Sequence, residues 1–152
     1  MKRSGILLFA IWLITSFQVF AQFKTTTNWS FDASKTEVQT GDEIELIFKV
    51  KIIPDWYLYS SDIDPDVGPM VTEAEYETND SFEVIGGLIP VDAKEKYDEI
   101  WGTDVTYFEG KGEFRQKIRV LKKDLDIRGS LTFQTCTDID GQCIPGGADF
   151  DF

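Results

Sequence analysis

Every second side chain from Ile44 to Ile52 is apolar. Ile44, Leu46, Phe48, Val50 and Ile52 fall on one face, and mostly charges fall on the other. A period of two fits a strand with one buried and one wet face, and it fits no helix. The pattern returns from Glu113 to Val120, with Phe114, Ile118 and Val120 facing in and Glu113, Arg115, Lys117 and Arg119 facing out. Glu73–Glu77 alternates as well, and Ile127–Thr135 sets Leu131 and Phe133 on one face. Shorter strands are expected at Trp29–Phe31, Trp56–Ser60, Phe82–Ile85, Asp104–Phe108 and Ala148–Phe152. Turn residues separate them: Thr40-Gly41-Asp42, Pro54-Asp55, Gly68-Pro69, Asn79-Asp80, Gly86-Gly87, Gly110–Gly112 and Gly146-Gly147. About nine short strands with regular turns predict an all-β fold, an antiparallel sandwich. Val91–Gly102 is polar and does not alternate; it is expected to be a loop or one helical turn.

Composition narrows the chemistry. A chain of 152 residues, 42% of them hydrophobic, suits one domain and is too apolar for disorder. It contains no histidine. That excludes Ser-His-Asp and Cys-His catalysis, imidazole zinc sites and histidine switches. With 27 acidic against 15 basic residues, no nucleic-acid partner is expected, because phosphates must be met by Lys and Arg.

Residues 1–21 read as an export signal. Lys2 and Arg3 form a basic start, an apolar stretch runs from Gly5 to Phe20, and Val19-Phe20-Ala21 fits a small-residue cleavage site. The stretch is shorter than the roughly 20 apolar residues of a spanning helix. Residues 22–152 are therefore expected to be the mature domain, with no stable membrane span after cleavage. No cysteine follows the apolar stretch, so no lipid anchor is indicated. The expected location is periplasmic or secreted, where disulfides form and persist.

The main candidate for chemistry is Cys136-Thr-Asp-Ile-Asp-Gly-Gln-Cys143, at the end of the Ile127–Thr135 strand. Asp140-Gly141 supplies a turn. Six residues between two cysteines across a turn can bring the sulfurs into bonding range. The pair then serves either as a structural staple or as a redox dithiol. As a staple it closes a short ring, with a loop-entropy gain of only about 2.5 kcal/mol. As a redox pair it sits where a partner thiol can reach it. Asp138 and Asp140 disfavour a thiolate within the ring, so an exchange partner would supply the attacking one.

Other motifs have blander readings. Asp62, Asp64 and Asp66 have the spacing of calcium ligands, and Glu73 stands twelfth from Asp62. The sixth position is Val67, where the sharp turn wants glycine, so the segment reads as an acidic surface loop. No metal and no cofactor beyond the disulfide are expected. Trp56-Tyr57-Leu58-Tyr59 and Tyr97…Trp101 read as core or rim aromatics. Asn28-Trp-Ser30 and Asn79-Asp-Ser81 are glycosylation sequons, relevant only in a eukaryotic secretory pathway.

Four segments, in order, resemble the N-terminal periplasmic domain of the thiol:disulfide interchange protein DsbD family. They are Asp55-Trp-Tyr-Leu-Tyr59, Gly68-Pro-Met-Val-Thr72, Asp98-Glu-Ile-Trp-Gly102 and Phe133-Gln-Thr-Cys136-Thr-Asp138…Cys143-Ile-Pro145. The resemblance implies an immunoglobulin-like sandwich and a protein-disulfide reductase or interchange component whose cysteines shuttle electrons. Cys143 would form mixed disulfides with partners and Cys136 would resolve them. Ile100 and Trp101 would cap the sulfurs, Asp98 and Glu99 would set acidity beside them, and Tyr57 and Tyr59 would line the site. The implied donor is a thioredoxin-like protein on a separate chain, since the sequence to Phe152 holds no such domain. The implied acceptor is a periplasmic disulfide isomerase or a cytochrome c maturation thioredoxin. The sequence departs from the family pattern at Ile100, where phenylalanine is usual, at Gly146, where a second proline is common, and in a ring one residue longer. The competing expectation is a secreted binding or structural sandwich with an inert disulfide.

Overall fold

The computed structural model describes residues 25–66, 68–99 and 101–152. The expected leader, residues 1–21, lies outside the described residues, as does Ile100. Ten strands are described: β1 (Thr27–Ala33), β2 (Glu43–Ile52), β3 (Tyr57–Tyr59), β4 (Glu73–Tyr76), β5 (Phe82–Val91), β6 (Lys94–Asp98), β7 (Thr103–Glu109), β8 (Lys111–Val120), β9 (Arg128–Cys136) and β10 (Cys143–Asp151). They form two sheets, ordered β1-β2-β8-β5 and β10-β9-β3-β7-β6. Every pairing is antiparallel. β3 and β4 share one edge of β9 end to end, β3 on Thr135 and Cys136 and β4 on Gly129–Thr132. The result is an immunoglobulin-like sandwich.

The alternating faces meet between the sheets. Phe48 and Phe114 are directly opposed on β2 and β8 and fully buried. From the second sheet Leu58, Phe108, Leu131, Phe133 and Phe150 close on them. Burial of each such side chain is worth about 1.5–3 kcal/mol. Edge-on aromatic contacts add direction to the packing, with Phe108 and Phe114 rings 5.0 Å apart and Phe48 and Phe150 rings 5.1 Å apart.

Three expectations are corrected. Val91–Gly102 is not a loop or a helical turn: it contains β6, which pairs with β7. β6 is an edge strand, and charged residues on such a strand discourage pairing with other chains, which hides the alternation. Gly86-Gly87 is not a turn between strands but a bulge within β5, where the register slips between Ile85 and Ile89. Gly86 takes φ +70°, and the Gln116 amide donates to the Ile85 and Gly86 carbonyls at 2.9 and 3.3 Å. Gly146-Gly147 lies inside β10, not in a turn. There the Phe133 ring rests on the bare backbone, and a Cβ on Gly146 would come within 2.4 Å of it.

Gly146→Ala therefore forces buried Phe133 out of place. The expected loss is about 1–3 kcal/mol, read as a lower denaturant midpoint with an unchanged slope.

Candidate functional site

The site lies on the outer face of the second sheet, away from the main core. Alternation places it there. Leu58 points inward, so Tyr57 and Tyr59 point outward; the same rule sends out Val105 and Tyr107 of β7, and Gln134 and Cys136 of β9. These outward residues make a second cluster. Tyr57, Tyr59, Ile63, Val71, Val105 and Cys136 are buried in it, with Tyr107 and Cys143 packed alongside. Ile63 and Val71 come from the segment between β3 and β4, which folds over the sheet. At its neck the Thr72 amide donates to the Ser60 carbonyl at 3.0 Å, and the Thr72 hydroxyl to the Tyr59 carbonyl at 2.6 Å. The Met70 amide donates to Gln134 Oε1 at 2.9 Å and pins the segment to β9.

Cys136 ends β9 and Cys143 begins β10, directly opposite. Their sulfurs are bonded and their Cα atoms are 4.1 Å apart. One step further, the Thr137 amide donates to the Gln142 carbonyl at 3.0 Å. That makes Cys136–Cys143 a non-hydrogen-bonded pair, the position where facing side chains come closest. The turn forms at Asp140-Gly141: the Gly141 amide donates to the Thr137 carbonyl at 3.1 Å, and the Gln142 amide to Asp140 Oδ1 at 3.1 Å. Cys136 is 1% exposed, whereas Cys143 is half-buried. On its other side Cys136 pairs with Tyr57.

Asp98 ends β6 and is 4% exposed. The Tyr59 hydroxyl donates to Asp98 Oδ2 at 2.7 Å. With that proton committed, the Tyr57 hydroxyl can donate to the Tyr59 oxygen, 3.4 Å away. Burial first, then the bonds to Tyr57 and Asp98, hold the Tyr59 hydroxyl well above the ordinary tyrosine range. Asp98 also closes the β6–β7 hairpin, accepting from the Trp101 amide at 3.4 Å on its side chain and from the Gly102 amide at 2.7 Å on its carbonyl. Glu99 is exposed, and Trp101 is 41% exposed.

The structure thus gathers Cys136, Cys143, Tyr57, Tyr59 and Asp98, and sets Glu99 and Trp101 on the adjoining hairpin loop. Sequence reasoning missed Lys96. Its ammonium stands 3.6 Å over the Tyr57 ring and 5.0 Å from the Tyr107 ring, and 3.5 Å from Asp138 Oδ1. Burial pulls Lys96 down, but Tyr57 and Asp138 outweigh it, so its pKa ends above the usual lysine value. The signal available was its place two residues before Asp98, on the same face of an alternating strand. The acidic loop behaves as a folded loop: the Thr106 hydroxyl donates to Asp62, the Asp66 amide donates to Asp64 Oδ1 at 3.0 Å, and Glu73 belongs to β4. Among the described residues no group of three or more His, Cys, Asp or Glu could hold a metal ion.

An all-β sandwich with a cross-strand disulfide on the outer face of one sheet defines a class of disulfide-bearing immunoglobulin-like domains. The chain belongs to the family described as thiol:disulfide interchange protein DsbD, N-terminal, whose model matches residues 27–152. Solved structures agree on the fold. The DsbD N-terminal domain of Neisseria meningitidis in the reduced form is 19% identical, with TM-score 0.50, over 76% of this chain and 78% of that one. The N-terminal periplasmic domain of ScsB from Proteus mirabilis is 16% identical, with TM-score 0.61, over 85% of this chain and 47% of that one. A complex of the DsbD N-terminal and PilB N-terminal domains from Neisseria meningitidis is 16% identical, with TM-score 0.50, over 81% of this chain and 80% of that one. No curated protein sequence matches the chain.

The Tyr59 hydroxyl gives a sign to the alkaline limb of stability. A phenol held protonated in the fold ionises in the unfolded chain first, so the unfolded state binds fewer protons and stability falls as pH rises above about 10. Tyr76, raised by burial alone, adds to the same limb. Tyr59→Phe is expected to flatten that fall by about 1.4 kcal/mol per pH unit. The check is a series of denaturant melts at alkaline pH; parallel limbs in the two proteins would refute the assignment.

Proposed function

We propose that this chain is a periplasmic thiol–disulfide exchange module working through Cys136 and Cys143. The observation that carries the reading is a bonded cysteine pair on the outer face of a family sandwich, with one sulfur residue buried and its partner half-buried. Cys143, the more accessible, is the point of attack, and Cys136 resolves. A thiolate of a thioredoxin-like donor attacks Cys143 Sγ. The electron pair of the disulfide leaves on Cys136 Sγ, which takes up a proton. The donor's second thiol loses its proton, attacks the donor sulfur of the mixed disulfide, and releases Cys143 as a thiolate. Two electrons have moved: the donor is oxidised to a disulfide and Cys136/Cys143 is reduced. The reverse sequence, with Cys143 attacking, reduces an oxidised acceptor such as a disulfide isomerase or a cytochrome c maturation thioredoxin. Support for protein partners comes from a similar domain solved in complex with another protein's N-terminal domain, and support for the compartment from a similar domain described as periplasmic.

The hairpin loop carrying Glu99, Ile100 and Trp101 is proposed as the lid over the sulfurs, with Asp98 and Glu99 supplying acidity and Tyr57 and Tyr59 the walls. A reduced dithiol in an oxidising compartment needs such a cover until a partner docks. Replacing Ile100 by Gly and Trp101 by Ala should speed oxidation of the reduced cysteines by small oxidants; unchanged rates would exclude the lid.

The decisive measurement is the reduction potential of the pair, read by mass after equilibration in graded thiol buffers and alkylation. A value of roughly −180 to −270 mV is expected for an exchange protein, whereas one below about −300 mV marks an inert structural bridge. A Cys136→Ala variant should in addition trap a mixed disulfide on Cys143.

A further inference from the structure

A reacting disulfide creates negative charge, and the surroundings of this one are already negative. Asp138 and Asp140 lie within its ring, and Asp98 is buried behind Tyr59. When Cys136 leaves as a thiolate, its charge appears beside Tyr57, its partner across β3 and β9. Lys96 brings a cation to that Tyr57 ring. The register puts Lys96 opposite Val105, on the same outward face as the disulfide. From edge strand β6 its ammonium extends over Tyr107 and Tyr57 to Asp138, and its side chain is only 24% exposed. Lys94, its neighbour on that face, is occupied by Glu109 at 2.8 Å.

We propose that Lys96 is a positioning residue for exchange at Cys136–Cys143: its ammonium, held on the Tyr57 ring and paired with Asp138, offsets the acidic turn and favours the thiolate that exchange requires. The proposal rests on the exchange reading for its biological meaning. Its physical content does not, because it concerns the acidity of the reduced thiols and needs no partner. The groups facing Lys96 are Tyr57 from β3, Tyr107 from β7, Asp138 from the disulfide turn and Asp98 further along its own strand. A cation near a thiol favours the thiolate, and partial burial keeps solvent from screening it fully. Lys96→Met keeps the stem over the rings and removes the charge; Lys96→Arg keeps the charge and the stacking. Asp138, 77% exposed on its side chain, can become Asn without disturbing the core and leaves Lys96 unopposed.

The test is the pH profile of iodoacetamide alkylation of the chemically reduced protein, followed by mass. Lys96→Met should slow alkylation near neutral pH by about 3- to 10-fold and move the profile to higher pH, with the same limiting rate at alkaline pH. Lys96→Arg should restore the wild-type profile, and Asp138→Asn should move it to lower pH. A profile unmoved in Lys96→Met, or unrestored by Lys96→Arg, would overturn the proposal. Should Lys96→Met not fold, Lys96→Gln takes its place: an unmoved profile refutes the charge role. A shifted profile together with a potential in the range of inert structural bridges would keep the role of Lys96 and reject exchange as the function.

Discussion

A short strand buried on both faces is the constraint on which this molecule turns. β3 is three residues long, and all three are buried. Leu58 is covered by the main core, so its two neighbours must be covered from the other side. That need explains the excursion between β3 and β4, which brings Ile63 and Val71 over Tyr57 and Tyr59. It also explains why a hairpin as polar as β6–β7 folds back toward the same face. The disulfide shares this second cover rather than the first, because Cys136 and Tyr57 are partners across the ladder.

The second cover is partly polar, and it holds only if its polar atoms are paired. Buried Asp98 accepts from Tyr59 and closes the hairpin that carries Glu99 and Trp101. A buried acceptor deprived of its donor costs about 1–3 kcal/mol, so the tyrosine and the aspartate must be kept or lost together. Lys96 extends the same network across two strands to the disulfide turn. The β6–β7 hairpin, the aromatic wall and the cysteine ring are therefore one mechanical unit, joined by a carboxylate at one end and an ammonium at the other.

How much of this was legible follows from where each residue faces. β2 and β8 are wet on one side, so their period of two shows plainly, and the sandwich follows from it. Gly86-Gly87 has the composition of a turn and so hides the second half of β5; only the partner strand, through Gln116, reveals the bulge. β6 was lost because an edge strand dressed in Lys and Glu has no apolar stripe. The cysteines stand out by their spacing across a turn, whereas the site roles of Tyr57, Tyr59 and Asp98 come only through the resemblance, whose motifs mark positions but not directions. Lys96 carried no motif. Its role is set by a register between β6 and β7 that no local pattern encodes.

The placement of the disulfide also bears on whether breaking it harms the fold. The β9–β10 ladder runs from the cysteines to Arg128 and Asp151, and the Thr137–Gln142 bond continues it beyond them. The bridge thus links residues that backbone pairing already holds together. Its ring is short, and its contribution to stability by loop closure is only about 2.5 kcal/mol. A bridge that tied the two sheets together would close a much longer loop and be costly to open. Here the main core, from Phe48 and Phe114 to Phe150, lies on the other side of the sheet and does not touch the sulfur cluster's burial. The exchange role proposed above would require one shape in two redox states, and a cross-strand pair outside the core is an arrangement that permits it.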